Sequence, residues 1–241
     1  MDTQWAQKYL DILERDEIAQ KMQAFYDLLV FYNEKFNLTR IIGREECRIK
    51  HFLDSICAET YFPAGANVAE IGSGAGFPSL PLKIVRDDLS FALVESVEKK
   101  CVFLREAVKE LGLKNIQVIH MRAEDGGKNR EGQYQDHTAG GQSRPADCPG
   151  HGQSRQGHRP RGPRCGQGGG CGCFIAYKGS AEEELREAEN AFRVLGVKTV
   201  ACERYDLPEE MGKRTLIVAE KIFSTPAAYP RGNGKERGKP L

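Results

Sequence analysis

Three glycines at alternating positions follow an apolar run in residues 68–82, which read VAEIGSGAGFPSLPL. They are Gly72, Gly74 and Gly76, and Glu70 stands two residues before the first of them. Because glycine lacks a Cβ, a chain with this spacing can turn sharply and let a ligand approach its backbone. A helix that starts after the turn adds free N–H groups, which suits a nucleotide-like cofactor. The segment predicts a cofactor loop that also includes Ser73, with an ordinary strand-to-helix turn as the alternative.

Two further strand ends support a cofactor site. Residues 91–95 (FALVE) predict a strand that ends in Glu95, nineteen residues after Gly76. In doubly wound sheets, an acid at this place accepts hydrogen bonds from ribose hydroxyls. A third predicted strand, residues 116–122 (IQVIHMR), leads into Ala123 and Glu124. Three strand ends at these intervals identify a cofactor site much more specifically than one glycine loop does.

The glycine spacing also separates two classes of cofactor. The dinucleotide fingerprint G-x-G-x-x-G would need a glycine where this chain has Phe77, which disfavours a nicotinamide-dependent oxidoreductase. The form present here, acidic-x-G-x-G-x-G, resembles the opening motif of S-adenosylmethionine-dependent methyltransferases. In enzymes of that kind, the segment after the third strand, here Ala123-Glu124-Asp125, usually holds the adenine.

Composition favours a cytoplasmic protein. The chain has 241 residues and a net charge of +1, which by itself indicates no particular partner. It shows no signal peptide and no apolar run of membrane-spanning length. Eight cysteines in a chain of this kind are expected to be reduced rather than to form a disulfide scaffold.

Residues 126–173 depart sharply from the rest of the chain. These forty-eight residues contain no Ile, Leu, Val, Met, Phe or Trp, and they hold fourteen of the 26 glycines. Seven basic residues stand against three acidic ones. Such a segment cannot bury enough apolar surface to offset the entropy cost of ordering, so we expect it to be disordered.

Three interpretations of this block compete. It could be a flexible basic insert that contacts RNA. A zinc site is a second interpretation, although the spacings match no standard arrangement of paired ligands; it would draw on Cys148, His151, His158, Cys165, Cys171 and Cys173. The third, which we favour as a hypothesis, is an out-of-frame translation of GC-rich codons, because regular patterning stops near Lys128 and resumes at Phe174.

The remaining elements predict an α/β fold with an N-terminal helical region. One apolar helical stripe comprises Ile18, Met22, Phe25, Leu29 and Tyr32. Residues 98–111 predict a helix that Gly112 ends, and Ser180 to Glu183 predict a capping box before a helix that Gly196 ends. Strands are predicted at 174–178, 197–203 and 214–220. The alternation indicates a mostly parallel sheet with helices on both faces.

Taken together, these segments resemble the bacterial glucose-inhibited division protein B family, also known as RsmG. The resemblance rests on seven motifs in the family's order: NLTR, HFLDSI, EIGSGAGFPSLPLKI, VIHMRAED, FIAYKG, LPEEMGKRTLIV and YPRGNGKERGKPL. The match covers residues 1–125 and 174–241 nearly end to end. It implies a Rossmann-like class I S-adenosylmethionine-dependent methyltransferase sheet. Such a sheet has seven strands, and the six found here leave the central fourth strand inside residues 126–173. The predicted domains are a helical region 1–60, a methyltransferase domain 61–222 and a basic tail 223–241.

The resemblance also implies an activity: methylation of N7 of a guanine in 16S ribosomal RNA by a cytoplasmic, monomeric enzyme that contacts the small ribosomal subunit. It places Gly72 and Phe77 beside the methionine and ribose of the cofactor, Glu95 at the ribose, and Ala123 with Glu124 at the adenine. It places Arg122, Lys178 and Arg214 around the substrate. Alternatives remain for these cations: Lys178 could be a solvated strand end, and Arg122 or Arg214 could pair with Glu124 or Glu220.

One departure from the family puts activity in doubt. Members carry, in the region of residues 126–173, a strand that ends in an arginine of the cofactor and substrate site, and this chain has no such segment. We therefore expect the chain as written to be poorly folded or inactive. The alternative function is a cofactor- or RNA-binding relative that has lost catalysis. His51 is expected to be a hydrogen-bonded structural residue rather than a catalytic one.

Overall fold

The computed structural model of the chain describes residues 4–122, 172–226 and 228–229. The chain divides into two compact units. The first comprises Met1–Ala123 and Asp206–Met211, and the second comprises Glu124–Tyr205 and Gly212–Leu241. Nearly all of the 126–173 block, including the position predicted for the fourth strand, lies outside the described residues.

The first unit begins with helices. Helix α1 spans Gln4–Leu13 and α2 spans Asp16–Phe36, followed by α3 (Arg44–Cys47), a π-helical stretch (Arg48–Leu53) and α4 (Asp54–Ile56). The predicted apolar stripe on α2 is confirmed at its centre, where Met22, Phe25 and Leu29 are buried. No helix in the described parts of the chain has the length and apolar character needed to cross a membrane.

A parallel three-stranded sheet follows the helices. Its strands are β1 (Asn67–Ile71), β2 (Ser90–Glu95) and β3 (Ile116–His120), in the order β1-β2-β3. Helix α5 (Ser79–Val85) connects the first pair and α6 (Glu98–Glu110) connects the second. The register pairs Ile71 with Val94 and Glu95 with His120, so the three carboxyl ends lie at one edge of the sheet. This is the strand–helix alternation that the sequence predicts.

The two outer strands of this sheet differ in burial from the middle one. Leu93 and Val94 of β2 are buried, whereas Ala69 of β1 is exposed and Ile71 is 55% exposed. Within the described residues, β1 is therefore an edge strand that carries an apolar side chain into solvent. A fourth strand beside β1 is the element that the sequence analysis finds missing, and its position lies outside the described part of the chain.

The second unit contains the other three strands that the structure describes. They are β4 (Cys173–Lys178), β5 (Val197–Asp206) and β6 (Lys213–Lys221), with β6 between the other two and antiparallel to β4. Helix α7 (Glu182–Leu195) ends at Gly196 as predicted, and this glycine adopts the left-handed conformation. The predicted capping box is wrong in detail. Ala181 is the N-cap residue and makes no side-chain cap, while the Ser180 hydroxyl donates to the Glu182 carboxylate at 2.8 Å.

Lys83 is a fully buried charge between α5 and β2. Its side chain is inaccessible to solvent, and its ammonium donates to the carbonyl oxygens of Asp87 and Leu89 at 2.5 and 2.9 Å. The same nitrogen pairs with the exposed carboxylate of Asp87 at 2.9 Å. Lys83 thus satisfies two backbone carbonyls in the turn that leads into the central strand.

We predict that Lys83→Met destabilises the fold by about 1–3 kcal/mol, because a buried carbonyl loses its donor while apolar volume is kept. Urea unfolding of the purified chain measures this free energy. Lys99→Met on the exposed side of α6 is the matched control and should change stability by less than about 0.5 kcal/mol. Equal effects of the two substitutions would contradict the assigned role of Lys83.

Candidate functional site

The glycine loop leaves β1 beside the end of β2. The N–H groups of Gly72 and Ser73 both donate to the carbonyl of Val94, at 2.8 and 3.2 Å. Gly72 and Gly74 have φ values of +74° and +54°, a region that residues with a Cβ rarely adopt. A Cβ at Gly72 would meet nothing within 4 Å, and at Gly74 only the Gly72 carbonyl at 3.7 Å. Their outer sides therefore face open space in which a ligand can approach the backbone.

Gly76 has a different reason to be glycine. A Cβ at this position would lie 2.6 Å from Leu80 and 3.2 Å from Leu104, and its φ is +82°. Its N–H donates to the Ser73 carbonyl at 2.7 Å, and its carbonyl accepts from Leu80 at 2.9 Å. Gly76 thus lets the loop pack closely on α5 and α6, a contact that spacing along the chain does not reveal.

Glu95 joins the loop after β1 to the loop after β2. One carboxylate oxygen accepts the N–H of Gly74 at 2.9 Å, and the other accepts the N–H of Val97 at 2.8 Å. Burial alone would raise the pKa of this carboxyl, but the hydrogen bonds from Val97, Gly74 and Ser96 together hold it below its ordinary value. The oxygen that accepts from Val97 also accepts the Ser96 hydroxyl at 3.4 Å, whereas the oxygen that accepts from Gly74 keeps a further lone pair for a hydroxyl donor.

Glu70 is a half-buried acid whose carboxylate has an incomplete set of partners. Burial raises the pKa of its carboxyl to about 7, although hydrogen bonds from Ser79 and Ser73 act in the opposite direction. Its Oε2 atom is buried and has no hydrogen-bond partner among the described residues. Ser73 and Ser79 are themselves buried. A cationic or hydrogen-donating group of a ligand would supply the missing partner.

Phe77 lies within an aromatic cluster contributed by the N-terminal helices. Its ring is 4.1 Å from that of His51 with the planes 9° apart, and it also contacts Phe25 and Phe52 at 5.2 and 6.1 Å. The Oγ1 atom of Thr39 lies 2.9 Å from Nε2 of His51. His51 is therefore hydrogen-bonded, and its ring stacks on the loop. Nothing in the spacing along the sequence indicated that contact.

The third strand brings a basic residue to the same edge of the sheet. Arg122 follows β3 by two residues and is exposed. His120, at the end of β3, places its ring nitrogens 2.7 Å from the Glu98 carboxylate and 3.0 Å from the Ser96 carbonyl. Ala123 and Glu124, the predicted adenine contacts, lie outside the described residues.

The other two predicted cations belong to the second unit. Lys178 ends β4 and pairs with Glu184 of α7 at 2.6 Å. Its register partner on β6 is Thr215, which follows Arg214. Because side chains alternate along a strand, Lys178 and Arg214 occupy neighbouring positions on opposite faces of this sheet. The guanidinium of Arg214 donates to the carbonyl of Lys213 at 3.0 Å.

The described residues form no cluster of metal-ligating side chains. Among the residues that the structure describes, no group of three or more His, Cys, Asp or Glu side chains could hold a metal ion. Cys148, His151, His158, Cys165 and Cys171 of the alternative zinc site lie outside those residues, and Cys173 is exposed at the start of β4.

The described residues fit a nucleoside cofactor with a cationic arm, as S-adenosylmethionine has. Open space lies over the glycine backbone at Gly72 and Gly74. Glu95 offers a carboxylate oxygen with a spare lone pair at the end of β2, which suits a ribose hydroxyl. The unpartnered Oε2 of Glu70 suits a positively charged donor.

Comparison with known proteins agrees with this geometry. A family model described as rRNA small subunit methyltransferase G matches residues 18–139. The ribosomal RNA small subunit methyltransferase G of Lactobacillus johnsonii is 39% identical over 95% of this chain and 94% of its own length. The protein of the same name from Staphylococcus carnosus is 38% identical over 100% and 99%.

Among solved structures, a SAM-dependent methyltransferase from Aquifex aeolicus matches with a TM-score of 0.42 and 15% identity, over 73% of this chain and 93% of that one. The sequence relatives are much more similar than this, and their matches extend over nearly the whole chain. The chain belongs to the ribosomal RNA small subunit methyltransferase G family.

Proposed function

We propose that this chain transfers the methyl group of S-adenosyl-L-methionine to N7 of a guanine in 16S ribosomal RNA. Membership of an rRNA methyltransferase family supports the reaction class. The observation that carries the cofactor assignment is the joined pair of loops at Glu95, with open glycine backbone beside it. We further propose that the enzyme works as a cytoplasmic monomer on the small ribosomal subunit.

The cofactor is assigned to the carboxyl edge of the parallel sheet. Glu95 would accept the ribose hydroxyls, and the backbone of Gly72 and Gly74 would lie against the methionine arm. Glu70 precedes Gly72 by two residues and its carbonyl accepts the Ser73 hydroxyl at 3.2 Å, and the Glu70 carboxylate would face the cationic end of the arm. The remaining residues assigned to the cofactor are Gly76, which shapes the loop, Phe77, and Ala123 with Glu124 for the adenine.

The substrate is assigned to basic residues. Arg122 at the sheet edge is exposed and available to RNA. Lys178 and Arg214 are proposed to contact the RNA as well, and we interpret the ion pair between Lys178 and Glu184 as a contact that phosphate can replace. Arginine presents a forked pair of donors that suits phosphate oxygens and the O6 edge of guanine. The tail 223–241 would add phosphate contacts through its basic residues.

Methyl transfer to N7 requires little proton transfer by the protein. Guanine N7 carries an exposed lone pair and needs no general base to act as a nucleophile. When bound, S-adenosylmethionine supplies an electrophilic methyl group on a sulfonium. The residues of this chain must therefore place N7 in line with that methyl, and orientation of this kind can contribute several kcal/mol. The assigned cations hold RNA and move no proton.

The direct test uses small ribosomal subunits from a strain that lacks the modification. If the proposed function holds, incubation with the purified chain and methyl-labelled S-adenosylmethionine labels 16S rRNA, and nuclease digestion releases N7-methylguanosine. That result would overturn the expectation from the sequence that residues 126–173 leave the chain inactive. Label at another guanine atom would contradict the N7 assignment. Cofactor binding without any labelling would favour the alternative of a binding protein that has lost catalysis.

We predict that Glu95→Gln weakens S-adenosylmethionine binding about tenfold or more, because a charged acceptor of hydroxyl groups becomes neutral. Titration calorimetry measures the dissociation constant. Glu110→Gln, at the exposed far end of α6, is the matched control and should bind like the native chain. Equal dissociation constants for the Glu95 variant and the control would remove Glu95 from the cofactor site.

We predict that Glu70→Gln weakens cofactor binding and raises the stability of the fold at neutral pH. Since the pKa of Glu70 rises from 4.5 to about 7 on folding, the folded state binds more protons than the unfolded state between these values. Native stability should therefore fall by about 2–3 kcal/mol, relative to the glutamine variant, as pH rises from 4.5 through 7. At pH 7.5 the variant should be more stable yet bind S-adenosylmethionine about tenfold more weakly.

Urea unfolding of both proteins at pH 4.5 and pH 7.5 measures the stability difference, and calorimetry measures affinity. Ser55→Ala, which changes another buried polar residue of the first unit, controls for general effects of burial. A stability difference that stays constant between the two pH values would show that Glu70 does not titrate in this range.

A further inference from the structure

We propose that Thr39 and His51 are positioning residues for the cofactor loop and that they act by supporting the ring of Phe77. The proposal deepens the function proposed above and rests on it, because Phe77 is assigned there to the cofactor. It gives a role to two segments of the N-terminal region, residues 37–40 and 51–56, that the methyl transfer itself does not use.

The imidazole of His51 sets the plane of Phe77. The two rings lie nearly parallel, with centroids 4.1 Å apart and planes 9° apart. Phe25 and Phe52 contact the same ring at 40° and 41°, so they close its edges and leave the flat contact to His51. Both His51 and Phe77 are half-buried. A change in the orientation of the imidazole would therefore be transmitted to Phe77.

Thr39 fixes that orientation. Its Oγ1 lies 2.9 Å from Nε2 of His51 and also accepts the N–H of Ile41 at 3.1 Å. The Thr39 N–H in turn donates to Oδ1 of Asn33 on α2 at 2.8 Å. The Ile41 N–H holds the hydroxyl and Asn33 holds the Thr39 backbone, so the hydroxyl has a fixed position against which the imidazole is aligned.

The support reaches the glycine loop directly. Phe77 follows Gly76, whose N–H and carbonyl both hold the loop closed. Phe77 is therefore joined at once to the aromatic cluster on one side and to the glycine turn on the other. We infer that the support keeps the loop in its binding conformation before the cofactor arrives, which lowers the ordering cost of binding.

The test compares Thr39→Val with Thr39→Ser. Valine keeps the branched shape and removes the hydroxyl, whereas serine keeps the hydroxyl. We expect the valine variant to raise the dissociation constant for S-adenosylmethionine about two- to fivefold. The serine variant should bind like the native chain. The kcat on small subunits at saturating cofactor should be unchanged in both, because neither variant touches RNA-binding groups.

Amide hydrogen exchange supplies a readout that needs no ligand. Gly76 and Leu80 donate their N–H groups within the loop, and their exchange in the free protein should accelerate in Thr39→Val but not in Thr39→Ser. His51→Phe keeps a flat ring and loses the hydrogen bond. It should therefore match Thr39→Val, and the double variant should be no weaker than either single one.

Two outcomes would overturn the proposal: native affinity and native loop exchange in Thr39→Val, or equal losses in the valine and serine variants. Failure of the native chain to bind S-adenosylmethionine would instead contradict the proposed function. The amide hydrogen exchange rates of Gly76 and Leu80 would still test whether Thr39 supports Phe77 in that case, since unchanged rates in Thr39→Val overturn the proposal. Urea unfolding of each variant checks that the compared proteins are folded.

Discussion

The pair of hydrogen bonds at Glu95 is the interaction on which the site depends. The carboxylate holds the N–H of Gly74 on one side and that of Val97 on the other, so it fixes two loops that come from different strands. Parallel pairing of β1 with β2 makes this possible, because the register brings Ile71 level with Val94 and leaves both loops at one edge. The carboxylate organises both loops, and its Oε2 atom keeps a lone pair for a ligand.

The N-terminal helices also pack against the glycine loop. Phe25 of α2 contacts Phe77 of the glycine loop at 5.2 Å and Phe103 of α6 at 6.4 Å. One buried side chain therefore joins the helical region to the loop and to a helix of the sheet. Burial of such rings contributes more than their apolar area alone, because the aromatic pairs add specific contacts. The helical region is thus a structural support of the glycine loop.

Sequence patterns predicted the parts of the fold that depend on local order. Gly72, Gly74 and Glu95 follow from strand ends and spacing, and the α2 stripe follows from helical period. Other features depend on contacts between distant segments. Gly76 is required by Leu80 and Leu104, and the stack of His51 on Phe77 joins positions twenty-six residues apart. The failed capping box shows a third limit, because α7 begins at Glu182 with Ala181 as its N-cap, and Ser180 donates its hydroxyl to the Glu182 carboxylate instead of capping the helix.

The most direct measurement is a crystal structure of the full chain with S-adenosylhomocysteine, the product form of the cofactor. The account predicts the ribose hydroxyls within hydrogen-bond distance of Glu95 and the amino-acid arm over Gly72 and Gly74, with its ammonium toward Glu70. It also predicts that the hydrogen bonds from Gly74 and Val97 to Glu95 persist. A ligand bound elsewhere, with Glu95 making only its two backbone contacts, would contradict the account.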